Sequence, residues 1–111
     1  MEKLQQYQQI IRDVIAEEAH PYCHSNDVET AMIFDTEHDR YQLTYIGWEA
    51  QQRIFNVILH LDIKDGKIWI QYNGTETAIA KVLTDKGVPA SDIVLGFHSP
   101  FKRQFSGYAL A

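Results

Sequence analysis

Asp62-Ile63-Lys64, with Asp35 upstream, is the arrangement in this sequence closest to catalytic machinery. Many metal-dependent nucleases place an acid before a strand that bears an acid-x-Lys pair. Strand alternation puts the acid and the lysine on one face, where they hold a divalent ion and a water. The plainer account is a solvated hairpin end, because Lys64 abuts a turn at Asp65-Gly66, and the sequence favours it. His60 and Asp62 lie two apart, near Trp69 and Gln71, and with His98 they would make a small polar site. A hydrogen-bonded patch at a sheet surface or subunit contact accounts for the same residues. Cys23 has His20 and His24 nearby, which suits a reactive thiol, but a surface cysteine among titratable neighbours is common. Ser99 lacks a G-x-S-x-G context, and no Walker A or dinucleotide fingerprint occurs. The expectation is therefore a non-enzyme, with no catalytic residue, metal or cofactor.

A second candidate lies near the carboxy terminus. His98, Lys102 and Arg103 stand among Phe97, Phe101, Phe105 and Tyr108, and cations interleaved with aromatics bind nucleic acid by phosphate contact and base stacking. Against this, the formal net charge is −5, and two cations are few for phosphate binding. A segment docked by its aromatics, with its cations facing the acidic body, is the favoured account.

These residues must be positioned by a hairpin over Arg53–Tyr72. Asp65-Gly66 is a type I′ turn signal, because both central residues need positive φ. Pairing across it sets Lys64 opposite Lys67, Ile63 opposite Ile68, Leu61 opposite Ile70 and Leu59 opposite Tyr72. Strict alternation then places Phe55, Val57, Leu59, Leu61, Ile63, Ile68, Ile70 and Tyr72 on one apolar face. Ile54, Asn56, Ile58, His60, Asp62, Trp69 and Gln71 fall on the other.

Before the hairpin, Leu4, Tyr7, Ile10, Ile11, Val14, Ile15 and Ala19 form the stripe of a helix over 3–19, ended by Pro21. Strands are expected over 28–34 and 41–48. A second helix over 75–86 follows the hairpin, capped by Asn73 or Thr75 and closed by Gly87. Residues 93–97 suit a fifth strand, and Ser99-Pro100 opens a short helix. The fold class this implies is α+β: one domain over 1–111, two layers, an antiparallel meander of four to five strands with the helices on one face.

The face left uncovered by helices is then where a partner or a second copy binds. Its expected members are Trp48, Ile54, Ile58, His60, Trp69 and Gln71, an apolar centre with polar surroundings. A homodimer or higher oligomer follows, since one patch can complement itself about a twofold axis. No stretch is long and apolar enough to span a membrane, and the first residues lack a signal-peptide pattern, so the expected location is cytoplasmic. The lone Cys23 is consistent with that.

From Ile33 onward the chain resembles the XisI family of cyanobacterial excision-controlling factors. The resemblance is carried by Ile33-Phe34-Asp35-Thr36-Glu37, Tyr41-Gln42-Leu43, Gly47-Trp48, His60 to Gln71, Asn73-Gly74-Thr75-Glu76 and Asp92 to Phe105. The amino-terminal helix fits in place and pattern. The resemblance implies an accessory role in programmed excision of a DNA element, the fdxN element of heterocyst-forming, nitrogen-fixing cyanobacteria. A separate site-specific recombinase performs the strand chemistry there. It also implies an XisH-like protein as partner, and it supplies no catalytic residues. Direct DNA contact through the tail stays open but is not favoured.

Overall fold

The computed structural model describes residues 2–111. Five strands form one sheet in the order β1-β2-β3-β4-β5: β1 is Val28–Asp35, β2 Arg40–Glu49, β3 Gln52–Lys64, β4 Lys67–Asn73 and β5 Ile93–Leu95. The first four make the expected antiparallel meander. β5 departs from it and runs parallel to β4. The cause is the connection: a parallel neighbour needs a crossover, and helix α2 (Ile79–Asp85) supplies it. The hairpin turn is as expected, with Asp65 at φ 53° and Gly66 at φ 76°.

Helix α1, Lys3–Glu18, buries Tyr7, Ile11, Val14 and Ile15 at three- and four-residue spacing. α2 adds Ile79 and Leu83. Both stripes enter one cluster with Tyr41, Leu43, Leu59, Leu61, Ile63, Ile68, Ile70 and Ile93, so the two helices share one face of the sheet. α2 begins later than 75 because the side chains expected to cap it organise the turn ahead instead. Asn73 Oδ1 accepts from the Thr75 amide at 2.9 Å, and Asn73 Nδ2 donates to the Thr77 carbonyl at 2.9 Å. A short helix α3, Pro100–Arg103, follows Ser99, whose hydroxyl accepts from the Lys102 amide.

The face assignment along β3 differs from strict alternation. Leu43 pairs with Leu59, but the next residue, Thr44, pairs with Val57, leaving Ile58 as an extra residue. A second irregularity in β4 lets His60 face Tyr72 while Leu61 faces Ile70, with Gln71 between, so Leu59 meets Asn73 rather than Tyr72. A bulge reverses the phase of everything beyond it. Phe55 and Val57 therefore leave the helix side and are exposed, as is Tyr72, while Ile54 turns inward and is buried. Ile54 shares a cross-strand row with Gly47 and Val28. A Cβ on Gly47 would lie 2.0 Å from the Asp27 carbonyl oxygen, so that row closes only around glycine.

Candidate functional site

The pairing registers place the side chains opposite the helices in rows. One row runs Ile33–Gln42–His60–Tyr72, the next Asp35–Arg40–Asp62–Trp69, and toward the other end come Ala31–Thr44–Val57 and Glu29–Ile46–Phe55. Trp48 and Arg53 close the face at the far end, with the guanidinium 5.5 Å from the indole. This is the open face of the sheet.

Its centre is a connected polar chain. Gln42 Nε2 donates to Thr44 Oγ1 at 2.8 Å, His60 Nδ1 lies 3.0 Å from Gln42 Oε1, and His60 Nε2 lies 2.8 Å from Asp62 Oδ1. Gln71 Nε2 donates to Asp62 Oδ2 at 3.2 Å, and Arg40 Nη1 stands 3.6 Å from the same oxygen. Asp62 is 4% exposed and Thr44 fully buried, yet among the described residues no buried side-chain nitrogen or oxygen lacks a partner. A buried carboxylate is tolerable only when paired and hydrogen-bonded in this way. Around the chain, Ile33, Trp48, Phe55, Val57 and Tyr72 are exposed, Phe55 most of all at 61%.

The expected site residues are thus split. Trp48, His60, Trp69 and Gln71 lie on the open face. Ile54 and Ile58 do not: Ile54 is buried on the helix side, and Ile58, the bulged residue, packs against the core. Sequence reasoning missed Ile33, Phe55, Val57 and Tyr72, and it missed Arg40, Gln42 and Thr44 as partners of His60 and Asp62. One signal was available. Apolar residues at 54, 55, 57, 58 and 59 break strict alternation, which marks a bulge.

The acid-x-Lys arrangement is not assembled for chemistry. Arg40 separates Asp35 from Asp62 in their row, which sets the two backbones about 10 Å apart at ordinary strand spacing. Asp35 belongs instead to the β1–β2 turn. The His38 amide and ring bond its carboxyl and hold it below the usual carboxylate range. Lys64 Nζ sits 4.3 Å from the centre of the Trp69 ring. Among the described residues, no group of three His, Cys, Asp or Glu side chains is gathered as metal ligands are. Cys23 is exposed.

The carboxy-terminal candidate follows the expected docking at Tyr108, which packs against the core, and departs from it elsewhere. Its phenylalanines point outward, with Phe101 68% and Phe105 74% exposed, and Phe97 is exposed too. The cation Arg103 does the fastening. Its guanidinium lies 5.1 Å from the Trp69 ring, Nε donates to the carbonyls of Leu95 and His98, and Nη1 donates to that of Leu110. Lys102 is exposed, and the His98 ring lies 4.5 Å from that of Phe97. Trp69 is therefore flanked by two cations, a stacking preference of the ring quadrupole.

Comparison with known proteins bears on this geometry. The family model described as XisI protein matches residues 1–110. A XisI-like protein from Anabaena variabilis is similar in structure with a TM-score of 0.91 and 42% identity, over 97% of this chain and 99% of that one. The fdxN element excision controlling factor XisI from Anabaena variabilis is similar with a TM-score of 0.85 and 34% identity, over 99% of this chain and 100% of that one. No curated protein matches. The chain belongs to the XisI family.

Proposed function

We propose that this protein is a non-catalytic accessory factor in excision of a DNA element, and that it acts by docking another protein on the open face of its sheet. The observation that carries the reading is the composition of that face. Exposed Ile33, Trp48, Phe55, Val57 and Tyr72 surround a polar chain whose groups are already satisfied by one another. The groups of such a chain are committed to one another, whereas the apolar side chains around it fit the core and rim of a protein contact. The related Anabaena variabilis protein, an excision controlling factor, supports the same role. The partner is an XisH-like protein, as the family resemblance implies, and the work is done in the cytoplasm. Among the described residues no helix is long and apolar enough to cross a membrane. Arg103 is committed to Trp69 and three carbonyls, which leaves Lys102 and His98 as the remaining side chains for a nucleic-acid contact and keeps that reading second.

The experiment is co-expression with the XisH-like partner. Wild type should co-purify with it, and Phe55→Glu with Val57→Glu should abolish co-purification while the circular dichroism stays that of wild type. Mg²⁺- or Mn²⁺-dependent nuclease activity that disappears in a folded Asp62→Asn variant would overturn the non-catalytic reading.

A further inference from the structure

We propose that two copies of this chain associate edge to edge through β1, forming one continuous sheet across a twofold axis at Ala31. This concerns the sheet's edge, not the docking face, and stands whether or not the docking reading holds.

The two edges of the sheet are treated differently. Beyond β5, Ala109 forms a parallel bridge to Val94 and donates its amide to the Ile93 carbonyl at 2.8 Å. Among the described residues β1 has a strand neighbour on one side alone, β2. Sheet edges are normally blunted by charged side chains, lysine above all, by proline, by a bulge or by shortness. β1 has no lysine, proline or bulge, and its charges are the acids Glu29 and, at its end, Asp35. It is eight residues long, VETAMIFD, and it pairs with β2 without a register shift. Met32, Ile33 and Phe34 are exposed, at 50%, 46% and 38%.

The hydrogen-bond phase identifies which groups face outward. The Trp48 amide donates to the Asp27 carbonyl, and bonded residues alternate along an antiparallel strand. Residues 29, 31, 33 and 35 thus bond to β2, while Val28, Thr30, Met32 and Phe34 turn their amides and carbonyls to the free edge. A second β1 running antiparallel must pair these four among themselves. With Ala31 on the axis, Val28 meets Phe34, Thr30 meets Met32, and Glu29 faces Ile33. The residue that then faces its own copy at the close, non-hydrogen-bonded spacing is alanine, the smallest side chain of the strand. Moving the axis to Met32 sets Val28 opposite Thr36, outside the strand, and leaves three bonded pairs instead of four. Acids oppose each other in both registers, Glu29 with Asp35 there and Asp27 with Asp35 here, so that charge does not choose between them. Axes at Thr30 or Ile33 shorten the paired segment. The strand is therefore complementary to itself in one register, which is why the occupant is a second copy. A twofold axis perpendicular to the sheet also keeps both open faces on the same side, so their docking surfaces merge.

The test is solution mass by light scattering across a concentration series. Wild type should give twice the chain mass of 12.8 kDa. Met32→Pro removes one outward amide and leaves the β1–β2 ladder its donors, and it should give the single-chain mass. Ala31→Lys, which sets two ammonium groups against each other at the axis, should do the same, and so should Ala31→Glu. An equimolar mixture of Ala31→Lys and Ala31→Glu should return to twice the chain mass. A monomeric wild type overturns the proposal. So does a dimer that survives Ala31→Lys, a mixture that stays monomeric, or a dimer dissociated instead by Phe55→Glu with Val57→Glu.

Discussion

The carbonyl of Ile58 accepts a hydrogen bond from the amide of Gly74 at 2.7 Å, at the point where β3 changes phase. Toward β2 Ile58 is the extra residue of the bulge, and toward β4 it stands next to the Leu59–Asn73 pair, so this bond carries the β3–β4 ladder one residue past β4. Leu59, Leu61 and Ile63 meet the helices beyond this contact, whereas Phe55 and Val57 before it face out.

That phase change has a direct thermodynamic signature. Leu61→Ala should lower unfolding free energy by about 2–5 kcal/mol, because Leu61 is fully buried in the core. Phe55→Ala should cost no more than ~0.5 kcal/mol despite its larger side chain, because Phe55 is exposed. Urea unfolding of the two variants measures both. Strict alternation would make both residues core and both losses large.

The contrast marks what was legible in the sequence. The turn at Asp65-Gly66, the stripe of α1 and the pairs nearest the turn are local matters, and each was readable from a few residues. The phase of β3 is not local. It depends on a bulge in the pairing of β3 with β2, a strand on the other side of β3 from the hairpin partner β4. For the same reason His60, Asp62 and Gln71 were legible as neighbours on one hairpin face. Arg40, Gln42 and Thr44 join them only once the β2–β3 register is known. In the tail, composition showed aromatics and cations together, but it could not show that Arg103 rather than a phenylalanine faces the sheet, because that depends on where Trp69 lies.

Arg103 gives the second prediction. Arg103→Ala should shift the tryptophan emission and raise amide exchange over residues 99–110, at a cost of about 1–2 kcal/mol for one cation–π contact and its charge-assisted bonds. Lys102→Ala, altering an exposed residue, should leave both observables at their wild-type values. Equal effects from the two would show that Arg103 does not fasten the segment.

Acid stability should depend on Asp92. Burial pushes its carboxyl up, but hydrogen bonds from Lys3 and Tyr7 and the Lys3 charge outweigh this, and the carboxyl ends below its ordinary value. A carboxylate depressed in the folded state is protonated more readily when unfolded, so its stabilisation is complete above the unfolded value of about 3.9 and fades as pH falls through the lower folded value. Asp92→Asn should therefore lower stability at neutral pH and flatten the acid limb of a melting-temperature profile. An unchanged slope below about pH 4 would contradict that.

The central claim is that the open sheet face binds a protein, and calorimetric titration tests it most directly. The XisH-like partner is titrated into wild type and into Phe55→Glu with Val57→Glu, both shown to be folded. A loss of tenfold or more in affinity, about 1.4 kcal/mol, is the predicted result. Undiminished affinity in the folded variant would contradict the claim.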